Sequence, residues 1–116
     1  MAARYHIIID VSEVSEPALV SQSGINRLLT DLPAKIDMKI LHGPVVIEGI
    51  PENPGVTGFV VIDFSHISVH TFTQTSQALV DIFSCKKYSQ NEAEDFVLRY
   101  FGVTKGQAKI QVVSWG

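Results

Sequence analysis

Residues 56–83 read VTGFVVIDFSHISVHTFTQTSQALVDIF, and this stretch decides the fold. It holds three apolar, β-branched runs, Val56 to Asp63, His66 to Phe72 and Ala78 to Phe83. Phe64-Ser65 separates the first two, and Thr73-Gln74-Thr75-Ser76-Gln77 separates the last two. Strand-length runs rich in Val, Ile, Phe and Thr, divided by gaps of turn length, predict an antiparallel meander.

Upstream, Tyr5 to Val11 (YHIIIDV) is a β-branched run ending in the polar stretch Ser12 to Glu16, which predicts a buried and central first strand. From Pro17 onward, Ala18, Leu19, Ile25, Leu28, Leu29 and Leu32 recur at helical spacing, with Ser15 as N-cap and Pro33 closing the helix. Lys39 to Leu41 and Val45 to Glu48 surround His42-Gly43-Pro44 and predict one bent or bulged strand. The proline- and glycine-rich segment Gly49 to Gly55 reads as a turning loop. Downstream, Ser89 and Glu92 form a capping box, Ala93, Phe96, Val97, Tyr100 and Phe101 share a helix face, and Gly102 stands at the C-cap. Lys109 to Ser114 supplies a last strand. Together these predict an α+β two-layer sandwich, an antiparallel sheet with two helices packed on one face. The other face needs a cover, and a second copy of the chain, a homodimer, is the simplest one.

Composition narrows the function. A chain of 116 residues, 46% hydrophobic, is the size of one domain spanning residues 1–116. Its 12 acids against 9 bases give a charge of −3, and the longest basic run is Lys86-Lys87, so no surface is expected to track nucleic acid. The apolar runs are broken by Asp10, Asp63 and Asp81, so no membrane span is expected. A lone Cys85 forms no internal disulfide, and Met1-Ala2-Ala3-Arg4 is unlike a secretory signal, which together point to the cytoplasm.

The candidate chemistry lies in Ser65-His66-Ile67-Ser68-Val69-His70. On a strand, His66 and His70 lie about 13 Å apart, too far to share one metal. They read either as polar residues satisfied by neighbours on one strand face or, with Ser65 and a distant thiol, as nucleophile, base and acid. Cys85 reads equally as a small buried hydrophobe. Lys86 and Lys87 read as a solvated turn, with no lysine placed to anchor a pyridoxal cofactor. Gly55-Val56-Thr57-Gly58 has neither the spacing nor the following helix of a phosphate loop.

Gly55-Val56-Thr57-Gly58, Ser65-His66-Ile67-Ser68-Val69-His70-Thr71 and Ala78-Leu79-Val80-Asp81-Ile82-Phe83-Ser84-Cys85 together resemble the short bacterial and archaeal form of S-adenosylmethionine decarboxylase, as does the opening strand from Tyr5 to Asp10. The resemblance implies a proenzyme that cleaves itself between Phe64 and Ser65, turning Ser65 into a pyruvoyl cofactor for decarboxylation in polyamine synthesis. It assigns His70 to proton transfer during cleavage, Thr57 to a hydroxyl that assists it, and Cys85 to reprotonation of the substrate carbon.

The chain departs from the family pattern around the substrate. Phe64 stands where the family usually has glutamate, and Pro51 takes the place of an aromatic residue. Phe72-Thr73-Gln74 replaces Trp-Pro-Glu, leaving Phe72 and Gln74 as the substrate-binding residues. These departures keep two alternatives open, a pyruvoyl-dependent decarboxylase of a basic amino acid such as ornithine or arginine, and a non-cleaving, non-enzymatic dimeric relative.

Overall fold

The meander forms the middle of a six-stranded antiparallel sheet in the computed structural model, which describes residues 3–115. Met1 and Ala2, part of the segment read as lacking a secretory signal, lie outside the described residues. In chain order the elements are β1 (Arg4–Val11), α1 (Glu16–Val20), α2 (Gln22–Lys35), β2 (Ile40–Ile50), β3 (Asn53–Ile62), β4 (Ser65–Phe72), β5 (Gln77–Ser84), α3 (Gln90–Phe101) and β6 (Ala108–Trp115), with a 3₁₀ turn at Lys105–Gln107 before β6. The strands lie in the order β2-β3-β4-β5-β1-β6. Strand β1 pairs with both β5 and β6, so it is interior, as its Ile-rich run predicts.

Period-two alternation divides the sheet into two faces. Ile7, Ile9, Val11, Val56, Val60, Ile62, Ile67, Val69, Val80 and Ile82 are buried, and they meet Leu19 of α1, Ile25, Leu28, Leu29 and Leu32 of α2, and Ala93, Val97 and Phe101 of α3. The result is the predicted α+β sandwich with all helices on one side. Gly58 on β3 faces α2, and a Cβ there would lie 2.5 Å from Leu29 Cδ1 and 2.7 Å from Ile25 Cγ2. The glycine is therefore what lets α2 seat against the sheet.

Several boundaries differ from expectation. The single helix predicted from Pro17 is two, because Ser21 takes an extended backbone and its Oγ accepts from the Gly24 N–H at 2.9 Å, capping a new helix. Ser15 stands at the N-cap of α1 without a side-chain cap bond. Pro33 does not close the helix. It lies buried in the last turn of α2, where its carbonyl accepts from the Ile36 and Met38 N–H groups, so only one helical hydrogen bond is lost near an end that is already terminating.

The Gly49–Gly55 loop shrinks to a tight turn at Pro51-Glu52, with strand on both sides, while β2 shows the predicted irregularity as register shifts on either side of His42. The Ser89 half of the capping box forms, its Oγ accepting from the Glu92 N–H at 3.2 Å, and Gly102 ends α3 in the left-handed region at φ 66°.

Among the described residues the second sheet face carries no helix. Val45, Ile47, Phe59, Val113 and Trp115 are exposed large hydrophobics on it, and its centre is a row of rings. His66 stacks between Phe59 and Phe83 at 5.3 and 5.6 Å, and Phe83 in turn meets His6 and Trp115 at 5.5 and 5.7 Å.

Candidate active site

Asp63 and Phe64 join β3 to β4 as a two-residue hairpin loop, closed by the Ile62–Ser65 pair. Such loops usually carry left-handed backbone on the loop residues, with Asn-Gly or Gly supplying it. Asp63 and Phe64 are not left-handed, and the positive φ falls instead on Ser65, at 145°. An L-residue rarely adopts this conformation, which costs about 1–3 kcal/mol. Its consequence is geometric. At an L-residue Cβ trails the backbone carbonyl by about 120° around N–Cα, so this φ leaves Ser65 Cβ nearly eclipsed with the Phe64 carbonyl carbon, about 25° away. In an ordinary strand the two stand far apart in torsion, and Oγ cannot close on the preceding carbonyl. Here a flat five-membered ring through C, N, Cα, Cβ and Oγ is within reach.

The turn is fixed from both sides. The Asp63 N–H donates to the Lys39 carbonyl at 2.9 Å, and the Lys39 N–H donates to Asp63 Oδ1 at 3.1 Å. The Phe64 carbonyl accepts from the Cys85 N–H at 3.0 Å, with the Cys85 thiol 3.6 Å away. An N–H aimed at a carbonyl polarises it and holds the oxyanion formed on attack. Cys85 itself is exposed, which corrects the reading of it as a buried hydrophobe.

Thr57 and His70 meet at the other end of β4, Thr57 Oγ1 lying 3.1 Å from His70 Nδ1 across a directly paired position of β3 and β4. Five residues of strand separate His70 from Ser65, about 16 Å. One protomer therefore brings together Ser65, Phe64 and Cys85, and separately Thr57 and His70, but not the two groups. Phe72 lies beside His70, ring centroids 6.5 Å apart. Gln74 sits in the turn after β4 and lines a cleft of about 370 Å³ with Glu16, Gln22, Glu48 and Thr73.

His66 fits the neighbour-satisfied reading as the middle ring of the stacked row. The roles of four residues of this region escaped sequence reasoning. His6 Nε2 is hydrogen-bonded to Asp81 Oδ1, and Asp81 also accepts from Ser68 Oγ at 3.5 Å. Ser84, fully buried, donates through Oγ to the Lys86 carbonyl at 2.8 Å and accepts from the Lys86 N–H at 2.9 Å. The polar Ser84 at the inward end of an otherwise apolar β5 face was the available signal for it.

Comparison with known proteins places the chain in a family. Residues 5–112 match the family model described as S-adenosylmethionine decarboxylase. An S-adenosylmethionine decarboxylase proenzyme of Methanococcus aeolicus is 31% identical over 88 residues, covering 75% of this chain and 72% of the relative. One from Pyrococcus furiosus is 26% identical over 98 residues, covering 84% and 68%. In fold, the chain is similar to the crystal structure of the adenosylmethionine decarboxylase from Aquifex aeolicus, with a TM-score of 0.80, 24% identity and coverage of 97% of this chain and 89% of that one.

Proposed function

The chain belongs to the S-adenosylmethionine decarboxylase family, and on that premise we propose that it is a proenzyme that cleaves itself between Phe64 and Ser65 and then decarboxylates S-adenosylmethionine, supplying the aminopropyl donor for spermidine synthesis. The observation that carries the self-cleavage is the Ser65 φ of 145°, which sets Oγ to close on a carbonyl already bonded to the Cys85 N–H.

In this reading Ser65 Oγ loses its proton and adds to the Phe64 carbonyl carbon, and the oxyanion is held by the Cys85 N–H. The C–N bond breaks, the nitrogen is protonated, and an ester links Phe64 to Ser65 Oγ. Removal of the Ser65 Cα proton then expels the Phe64 carboxylate, leaving fragments 1–64 and 65–116. Addition of water and loss of ammonia convert position 65 to a pyruvoyl group. The site fits that group, because position 65 opens β4 beside the exposed Cys85 thiol, which lies 3.6 Å from the Phe64 carbonyl oxygen. A pyruvoyl group at position 65 would supply an electron sink for the loss of carbon dioxide. Cys85, 3.6 Å from the Phe64 oxygen through its sulfur, then delivers a proton to the substrate carbon.

His70 and Thr57 serve the cleavage from a second protomer. The pair lies about 16 Å from its own Ser65, and the exposed apolar face offers a contact surface. A two-fold axis lying between two such faces and perpendicular to the strands carries the His70 end of one protomer over the Ser65 end of its partner. Phe72, beside His70, arrives with it as a substrate-binding ring. The compartment is the cytoplasm, where an exposed thiol stays reduced. Among the described residues no helix is long and apolar enough to cross a membrane.

A second reading keeps the self-cleavage and takes a smaller basic amino acid as substrate. It is favoured by the separation of Gln74, in its cleft, from Phe72 on the open face, which leaves no joint platform for a nucleoside within one protomer.

Intact mass tests the central claim. The 12.8 kDa chain is expected to give two fragments, the later one lacking a free amino terminus and reacting with ketone reagents. Ser65→Ala is expected to stay whole. A wild-type chain that stays whole would overturn the enzyme readings in favour of a non-cleaving relative. Release of labelled carbon dioxide from S-adenosylmethionine, but not from ornithine or arginine, separates the two substrates.

A further inference from the structure

Lys86 is not the solvated turn residue its sequence context suggests. Its ammonium lies 5.0 Å from the centre of the Phe64 ring, donates to the Asp37 carbonyl at 2.9 Å, and sits 3.4 Å from Asp37 Oδ2. Its backbone is held independently, both its N–H and its carbonyl bonding to the buried Ser84 hydroxyl. A long flexible side chain fixed at both ends is pre-organised, so little freedom is lost in holding what it touches. What it touches is the residue that donates the scissile carbonyl.

We infer that Lys86 is a positioning residue for self-cleavage, tying the Phe64 ring to Asp37, just past the end of α2, so that the 63–64 turn keeps Ser65 in its left-handed conformation. The inference rests on the self-cleavage reading. The turn needs such a clamp for a physical reason. A serine held at positive φ relaxes toward ordinary strand geometry unless its surroundings over-determine it, and relaxation swings Cβ away from the carbonyl carbon. Hydrogen bonds at Asp63 and at the Phe64 carbonyl hold the backbone on either side. The half-exposed Phe64 side chain has the Lys86 ammonium on its ring, a cation–π contact that requires the charge and not merely the bulk of the lysine. Lys86 also follows Cys85 directly, so the clamp on the ring and the hydrogen bond on the carbonyl come from one short segment.

The test follows first-order self-cleavage of unprocessed chains, made by rapid refolding, for wild type, Lys86→Met, Lys86→Arg and Phe64→Leu. Lys86→Met keeps the aliphatic stem and is expected to cleave about ten-fold more slowly, the size of a lost partly exposed cation–ring and ion-pair contact. Lys86→Arg keeps a cation able to lie on the ring and is expected to restore a rate within about three-fold of wild type. Phe64→Leu removes the ring, and the double variant Lys86→Met/Phe64→Leu is expected to be no slower than the slower single variant, because both remove one contact. High salt is expected to slow wild type while leaving Lys86→Met unchanged. Near-identical melting temperatures across the set separate positioning from loss of fold. Wild-type cleavage with an undiminished rate in Lys86→Met, or multiplicative effects in the double variant, would overturn the clamp alone. Absence of cleavage in wild type would overturn the underlying reading and the clamp with it.

Discussion

Cys85 meets the Phe64 carbonyl through two atoms that mutagenesis can separate. The N–H, at 3.0 Å, belongs to the backbone and survives any side-chain change, whereas the thiol, at 3.6 Å, does not. Cys85→Ser is therefore expected to cleave within about three-fold of the wild-type rate yet to lose about 10²-fold in decarboxylation, the typical worth of one proton donor. Fragment accumulation and carbon dioxide release, measured on the same preparation, check the two halves. If cleavage itself collapses, the thiol and not the N–H handles the carbonyl. The sequence makes Ser65 and Cys85 legible as candidates by their pattern, but not the positive φ on which the proposed reactivity of Ser65 rests. A positive φ is usually announced by Gly or Asn, and Asp63-Phe64-Ser65 has neither. The angle arises because the strand register on either side forces a two-residue reversal on a sequence poorly suited to it. Lys86 was hidden for a related reason, since nothing local shows that residue 86 folds over residue 64.

At the scale of elements, the meander and both ends of α3 were readable because periodicity and caps are local signals. The split between α1 and α2 was not, because a serine inside an apolar helical pattern is a weak signal until its hydroxyl is seen to cap Gly24. The short α1 is fastened by a residue that lies outside it. Thr71 on β4 is buried, and its Oγ1 donates to the Leu19 carbonyl at 2.6 Å while accepting from the Val56 N–H at 2.8 Å. One hydroxyl thus satisfies a helix-end carbonyl and a strand N–H. Thr71→Val keeps the shape and leaves both groups unpaired in the core, so a loss of about 2–4 kcal/mol in unfolding free energy is expected by urea denaturation. Thr71→Ser, which keeps the hydroxyl, is expected to recover at least half of it. Next to this site, Gly55 has φ 149°, and a Cβ there would stand 1.9 Å from the Thr71 carbonyl oxygen. The glycine that opens the Gly-Val-Thr-Gly motif is therefore a packing requirement of this junction, whatever Thr57 does on the opposite face.

For the whole molecule, the decisive fact is that an extended strand separates residues that stand close in sequence. Ser65 and His70 look like neighbours in Ser-His-Ile-Ser-Val-His, yet a strand carries them about 16 Å apart, and the hydrogen bond between Thr57 and His70 commits the histidine to the far end of the sheet. A face bearing Phe59, His66, Phe83, His6 and Trp115 in one continuous row is the surface on which, in the proposed dimer, a second copy would close that distance. If Ser65 is served by the partner's end of the sheet, two defective chains can repair one site between them. Ser65→Ala retains Thr57 and His70 but has no nucleophile, and His70→Ala retains Ser65 and Cys85 but has no proton carrier. Each alone is expected to remain uncleaved or to cleave at least about 10²-fold more slowly than wild type. Refolded together from a mixture, with the two chains distinguished by mass, half of the assemblies pair one chain of each kind. In these the Ser65 of the His70→Ala chain faces an intact His70, so that chain alone is expected to split at near wild-type rate while the Ser65→Ala chain stays whole. A mixture in which neither chain is cleaved, although mixed dimers are seen by native mass spectrometry, would show instead that each protomer must bring its own His70 to its own Ser65. The strand would then have to bend far from the geometry described here.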